Sequence, residues 1–387
     1  MKRQISFLGR ATQDPTTGYQ RVTYRFDDGA LVESAFFGPA LAANQRPQEL
    51  LILGTAGSMW DVLLDAQGGA AASDEQRLEL WDKAKRSSVT DEDLAQFEGL
   101  VGAHLGIPCR LRTIPYGRDA REQAALLATL AALLERGDEV TFDVTHGLRH
   151  LPMLMLAAGH YLERVRGVTV TNIVYGAMDM RGEDHVVPVV RLDGLLQVLD
   201  WVQALAAYDA SGDFGVFAGL LEAAGASGAE ALLKQAARYE RMTNLAKARQ
   251  QLTRLNVKEA SADPLAELFL PELEQRLGWW RAPERWRREA AAAQAYLQRG
   301  DLLRAAIFGQ EAVISRHTEE REQDIYDCRE ETRRRQQSAD VDARSLFDIR
   351  NSLAHGLNAQ GRTVRDALQD PDKLRTELEQ LLNALLH

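Results

Sequence analysis

The stretch Glu139-Val140-Thr141-Phe142-Asp143-Val144-Thr145-His146-Gly147-Leu148-Arg149-His150-Leu151-Pro152 decides the fold. Glu139–Val144 has the length and apolar, β-branched character of a buried strand. It ends in Thr-His-Gly, and a helical pattern, Leu148–Arg166, follows at once. A strand that passes through a small turn into a helix gathers backbone N–H groups and a helix N-terminus at one place, which suits an anion. Arg149 adds a cation for phosphate.

Working outward, strand-like runs recur at Ile5–Gly9, Glu49–Leu53, Arg110–Ile114, Val168–Tyr175 and Val186–Leu192. Tyr19–Phe26 and Leu31–Phe37 flank Asp27-Asp28-Gly29, a hairpin turn. Helical stretches lie between them at Arg77–Arg86, Asp91–His104 and Arg118–Arg136. This alternation predicts an α/β domain with a mainly parallel sheet and a β-hairpin insertion. Its ligands belong outside the carboxyl ends of the strands. Three more strand ends carry small or hydroxylated residues: Gly9-Arg10-Ala11-Thr12, Thr55-Ala56-Gly57-Ser58 and Tyr175-Gly176. Each alone reads equally as a tight turn that needs glycine; several on one sheet edge point to a site. His146 reads either as a ligand contact or as a capping and packing residue. No GxGxxG or Walker loop is present, which argues against a dinucleotide cofactor or an ATPase.

After Leu192 the strand pattern stops. Leu195–Leu221, interrupted near Ser211-Gly212-Asp213, is helical by period, as are Glu230–Leu255, Leu265–Leu277 and Pro283–Arg299. A long helix is expected from Leu302 to about Arg335, then Val341–His355 and Asp370–Leu386. The expected organisation is a ligand-sensing domain over 1–190, a helical linker over 191–228 and an all-α domain over 229–387. The 387 residues are 45% hydrophobic and 26% charged, an ordinary globular composition. A net charge of −10 disfavours nonspecific nucleic-acid binding, although Arg281, Arg285, Arg287, Arg288 and Arg333-Arg334-Arg335 gather in the helical half among many glutamates. No apolar run is long enough for a bilayer. The start, Met1-Lys2-Arg3-Gln4-Ile5, shows no signal-peptide pattern, and Cys109 and Cys328 lack metal-ligand spacing. A cytoplasmic protein with free thiols, and with no membrane partner, is expected.

The helical half carries Arg350-Asn351-Ser352-Leu353-Ala354-His355. On its helix Leu346, Ile349 and Leu353 define a core stripe, Asn351 and His355 share a polar face, and Gly356 suits a C-terminal cap. His355 then sits at the negative end of the helix dipole, a place suited to a proton donor. An arginine, an amide and an imidazole can hold a phosphate, stabilise its extra charge and move protons while an RNA 2′-hydroxyl attacks, with no metal required. The same run also fits a surface arginine and a histidine before a capping glycine. One arginine and one histidine make a thin site. Two copies facing each other across a two-fold axis would supply both acid and base, so a homodimer is expected.

The run Asp143–Pro152 resembles the D-[IV]-T-H-G-x-R-x-x-P signature of CRISPR-associated Rossmann-fold (CARF) domains. The opening Ile5-Ser6-Phe7-Leu8-Gly9, the hairpin and Val174-Tyr175-Gly176-Ala177 match that family in order and spacing, over roughly residues 1–190. Arg350-Asn351-x-x-x-His355 resembles the HEPN ribonuclease signature. Together they are similar to the CARF–HEPN ancillary ribonucleases of type III CRISPR systems. The resemblance implies a Rossmann-like sensor joined to a helical HEPN domain in a homodimer. The sensor pair would bind a cyclic oligoadenylate, cyclic tetra-adenylate first among the ring sizes, and the HEPN pair would cut single-stranded RNA. It places Gly9, Arg10, Ala11, Thr12, Thr145, His146, Gly147 and Arg149 at the activator, where the strand-end reading adds Thr55, Ala56, Gly57, Ser58, Tyr175 and Gly176, and it places Arg350, Asn351 and His355 at the scissile phosphate. Some CARF domains slowly cleave their own activator, a role His146 or Thr12 could assist. Two other readings compete: a nucleotide sensor whose helical half only dimerises, and a DNA-binding regulator, for which no compact basic recognition helix is visible.

Overall fold

The N-terminal half folds as the alternation predicts. In the computed structural model, which describes residues 1–9, 21–67, 72–192, 194–356 and 362–386, eight strands pair into one sheet among the described residues. They are β1 (Lys2–Leu8), β2 (Val22–Arg25), β3 (Leu31–Ser34), β4 (Glu49–Gly54), β5 (Cys109–Thr113), β6 (Glu139–Asp143), β7 (Thr169–Gly176) and β8 (Val186–Arg191). The order is β3-β2-β8-β7-β6-β1-β4-β5. β7, β6, β1, β4 and β5 run parallel, while β8 is antiparallel to β7. The hairpin β2–β3 adds to the outer side of β8. Apart from the hairpin β2–β3, the chain passes from β1 to β4 and β5 on one side and then crosses to β6 and β7 on the other. The order therefore reverses at β1/β6, and the carboxyl ends of these two strands mark the switch point.

Helices cover both faces, which is why the strands read as continuous apolar runs. Ile5, Phe7, Leu51, Leu53, Val140 and Phe142 pack with Leu126, Leu130 and Met155 on one face. Leu8, Leu50, Ile52 and Leu111 pack with Trp60, Leu80 and Phe97 on the other. Over β1 and β6 that second face is polar instead: Gln4, Ser6, Thr141 and Asp143 are buried there. The helix Phe37–Gln45 comes in close above them. A Cβ on Gly38 would lie 2.6 Å from the Ser6 Oγ, and the Gln4 Nε2 donates to the Gly38 carbonyl at 2.8 Å. The sequence reading carried Leu31–Phe37 as strand to its end. In the structure Phe37 opens this helix, and its ring packs with Tyr24 at 4.9 Å between centroids.

The chain divides into two compact units, Met1–Leu199 and Asp200–His387. Among the described residues the second is wholly helical. Its first part packs Trp201, Tyr208, Phe214 and Phe217 with Leu233 and Leu273. Gly212 breaks the opening helix at φ +76, and the Tyr296 ring lies where its Cβ would be. Glu230–Leu255 is two helices, Ala229–Arg241 and Leu245–Leu252, because Thr243 takes a left-handed turn and Asn244 caps the second by accepting from the Lys247 N–H at 3.0 Å. The remaining helices surround Phe308, Leu346, Phe347 and Leu382.

The long helix expected from Leu302 to Arg335 is also two, Leu302–His317 and Tyr326–Ala339. Thr318 turns extended, and its hydroxyl donates to the Ile314 carbonyl at 2.7 Å. The Gln323 Nε2 covers the Ser315 carbonyl at 3.0 Å, so the orphan carbonyls of the helix end are satisfied by side chains. The fold-back brings Arg329 onto Glu311.

Phe142, fully buried at the centre of the sheet, should be among the costliest single truncations. Phe142→Ala is expected to lower the urea stability of the N-terminal unit by about 3–5 kcal/mol. A far smaller loss would mean that the sheet centre collapses onto the void.

Candidate functional site

The site is built where the loops after β1 and β6 meet. A Cβ on Gly9 would fall 2.4 Å from the Gly147 nitrogen and 2.9 Å from its Cα. Gly147 holds φ +109, which L side chains rarely adopt. The two glycines thus let two backbones touch at the switch point. The Met59 N–H donates to the Gly9 carbonyl at 3.1 Å and ties the turn after β4 to the same point.

The residues before Gly147 are fixed from below. The Asp143 Oδ1 accepts from the Thr145 N–H at 2.8 Å. The Thr145 hydroxyl accepts from the Gly176 N–H at 2.8 Å, which joins the β6 loop to the end of β7. The Asp143 Oδ2 has no hydrogen-bond partner, and the side chain is fully buried. Burial pushes its carboxyl up to about 6, against the pull of the Thr145 N–H and of the Thr145 and Ser6 hydroxyls. The His146 Nε2 accepts from the Phe37 N–H at 3.1 Å, and its ring meets Phe36 edge-on at 5.6 Å. Burial pulls this imidazole down to about 4, so it is neutral at neutral pH. Nε2 is therefore committed to capping the helix Phe37–Gln45, and Nδ1 carries the proton that could face a ligand.

Beside the glycine contact opens a cleft of about 560 Å³, lined by Gly9, Thr55, Ser58, Gly147 and Leu148 together with Ser87, Tyr116 and Arg118. The Thr55–Ser58 turn is internally satisfied. The Ser58 hydroxyl accepts from the Thr55 N–H at 2.9 Å and donates to the Leu8 carbonyl at 2.7 Å, and the Trp60 Nε1 donates to the Thr55 carbonyl at 3.0 Å. The far wall is more open. The Tyr116 hydroxyl donates to the Ser87 Oγ at 3.0 Å, Arg118 lies 5.5 Å over the Tyr116 ring, and Glu122 holds the Arg118 Nε at 2.9 Å. The neighbouring carboxylate raises that guanidinium further above its ordinary range.

Gly9, Thr55, Ser58 and Gly147 therefore line one cleft, as the strand-end reading expects. Ala56 and Gly57 sit in the turn behind it. Thr145, His146 and Gly176 brace the other side of the β6 loop, with Gly176 packed under Tyr24 and Phe37. Tyr175 packs against the core. Arg149 is exposed, with no hydrogen bond or ion pair among the described residues. Arg10, Ala11 and Thr12 lie outside the described residues. Ser87, Tyr116 and Arg118 were missed. Their signal was Ile114-Pro115-Tyr116-Gly117-Arg118, a further strand end with glycine, but the sequence reading had absorbed Arg118 into a helix. That helix starts at Ala120, with Asp119 as its cap.

In the second unit the helix Val341–His355 forms with Asp340 as its N-cap and Gly356 closing it at φ +64. Leu346 and Ile349 are buried, and Leu353 packs against the same core. Arg350 and Asn351 are half-buried, and the Arg350 Nη1 donates to the Asn351 Oδ1 at 3.0 Å. The amide oxygen thus orients the guanidinium and leaves the amide N–H groups as donors. His355 is exposed one turn later on the Asn351 face. Glu311, on a neighbouring helix, is held by Arg329.

Residues 4–179 match the family model described as CRISPR system endoribonuclease Csx1, CARF domain. The chain is similar to CRISPR-associated protein MJ1674 of Methanocaldococcus jannaschii, at 26% identity over 280 residues, which is 66% of this chain and 43% of that relative. The chain thus spans less than half the length of the curated relative it matches. A solved structure, Enterococcus italicus Csm6 bound to cyclic hexa-2'-fluoro-hexa-dAMP, aligns with 100% of this chain and 94% of that one, at 10% identity and a TM-score of 0.39, too loose a likeness to build on.

Asp143 and His146 titrate with opposite signs. The His146 contribution to stability is complete above its ordinary 6.5 and drains as pH falls toward 4. That of Asp143 is complete below its ordinary 3.8 and drains as pH rises toward 6. Their slopes oppose through the shared window, so separating them should expose each. In urea titrations across pH, Asp143→Asn is expected to leave a midpoint that falls on acidification. His146→Gln should leave one that falls as pH rises from 4 to 6. The same pH profile in both variants would show that neither shift exists.

Proposed function

We propose that this chain, whose N-terminal unit carries a CARF domain of the CRISPR ancillary kind, is an endoribonuclease switched on by a cyclic oligoadenylate. The match over residues 4–179 and the glycine-bridged cleft support the sensing half. The Arg350–Asn351 hydrogen bond on a capped helix ending at His355 carries the nuclease half.

The activator's phosphates would lie along the backbone at Gly9 and Gly147, where no side chain stands off an approaching ester, with Arg118 and Arg149 in reach of the charge. An adenine fits over the Tyr116 ring. Two chains would face each other so that the ring is held by two clefts and the RNA by two copies of the Arg350–His355 run. In that composite site the Arg350 guanidinium, aimed by Asn351, stabilises the phosphorane oxygens. One His355 takes the 2′ proton, and the other protonates the 5′ leaving oxygen. The products are a 2′,3′-cyclic phosphate and a 5′-hydroxyl. Activator binding would bias the pair toward the cleaving arrangement by as much as it favours that state over the other. The expected boundaries are the sensor over 1–190, the linker over 191–228 and the nuclease domain over 229–387, in a cytoplasmic protein.

Labelled single-stranded RNA incubated in EDTA should be cut only when cyclic tetra-adenylate, or a ring of another size, is added. No ring-dependent cleavage would overturn the nuclease reading and leave a sensor. His355→Ala is expected to slow cleavage by about a hundredfold or more while activator affinity, read by calorimetry, stays at the parent value. Tyr116→Ala should do the reverse, weakening activator binding about tenfold through the lost base stack without changing the rate at saturation.

A further inference from the structure

Three of the chain's six tryptophans, Trp279, Trp280 and Trp286, fall beside Arg281, Arg285, Arg287 and Arg288. In an acidic chain this is a local reversal, and the structure organises it. Arg281 lies 5.3 Å over the Trp280 ring, while Arg287 and Arg316 lie 4.6 and 4.9 Å over the Trp286 ring. Trp280 and Trp286 are half-buried, which fixes their planes, while the side chains of Arg281 and Arg287 are 48% and 55% exposed. Their ion pairs, to Glu274 at 3.4 Å and Glu284 at 2.9 Å, are exposed and cost little to give up.

Behind this rim the cations are crowded. The Arg249 Nε donates to the Trp280 carbonyl at 3.2 Å, and the Arg288 Nη1 donates to the Ala282 and Pro283 carbonyls at 2.7 Å. The Arg288 guanidinium is pulled below its ordinary range, first by burial and then by Arg249. A phosphate placed there would relieve that repulsion.

We infer that the Trp280–Arg288 strip is a binding track for single-stranded RNA. Bases would stack on the Arg281 and Arg287 guanidinium groups that lie over the tryptophan rings, and phosphates would lie toward Arg249 and Arg288. Stacking of this kind accepts any base, as a sequence-tolerant track requires. The inference rests on single-stranded RNA being the substrate.

The test measures anisotropy of an end-labelled oligouridylate on the full-length His355→Ala protein, so that RNA is not consumed. Arg281→Gln with Arg287→Gln, both exposed, should weaken binding about tenfold through the lost base stacking. Trp286→Leu should weaken it about tenfold, with circular dichroism confirming a folded chain. Affinities within twofold of the parent in both variants would overturn the track, even where His355-intact protein cleaves RNA. Weakened binding in both, with no cleavage by His355-intact protein when cyclic oligoadenylates are added, would sink the nuclease reading and leave the track as a site that binds single-stranded RNA without cutting it.

Discussion

Everything in the N-terminal half depends on two backbones being allowed to touch. Gly9 and Gly147 stand at the ends of adjacent parallel strands, and the absence of one methyl group at position 9 sets how closely their loops approach. The sheet order reverses there, so the crossovers diverge and leave a crevice. Around that contact most polar groups are already engaged. The Ser58 hydroxyl and the Thr55 carbonyl hold their own turn, the Thr145 hydroxyl ties two strands together, and the His146 Nε2 caps a helix. The cleft thus offers a bound molecule a rigid backbone surface on one side and an adaptable Tyr116–Arg118 wall on the other.

The helical half follows a different economy. Its motif is carried by a single helix whose ends are both capped and whose apolar stripe is sunk in the core. Arg350 and Asn351 orient each other, while His355 is exposed at the helix terminus. A preorganised cation beside an exposed imidazole suits a reaction in which charge stabilisation must be in place before the proton moves.

Much of this was legible in the sequence because local rules and the global fold agreed. Gly29 with the Asp pair marked the hairpin, Gly356 marked the end of the motif helix, and the Asp143–Pro152 run marked the loop after β6 that meets Gly9 and lines the cleft. The failures share a cause: a partner distant in sequence decided the outcome. Glu311 and Arg329 pair only if the helix between them breaks, and a charged segment with helical period gives no warning of that. Phe36-Phe37 looks like strand because the group that starts its helix is His146. Tyr116 and Arg118 gained a role only when β5 placed them across from Gly147.

That helix, Phe37–Gln45, has no N-terminal cap of its own: Phe36 supplies no side-chain acceptor, and the first turn holds no acidic residue. Its first turn is completed by a histidine 109 positions later in the chain. Until Glu139–Asp143 has joined the sheet, this segment lacks that cap, a stabilisation of about 1 kcal/mol. The start of the helix and the loop after β6 are thus coupled: a change that displaces His146 also uncaps Phe37–Gln45.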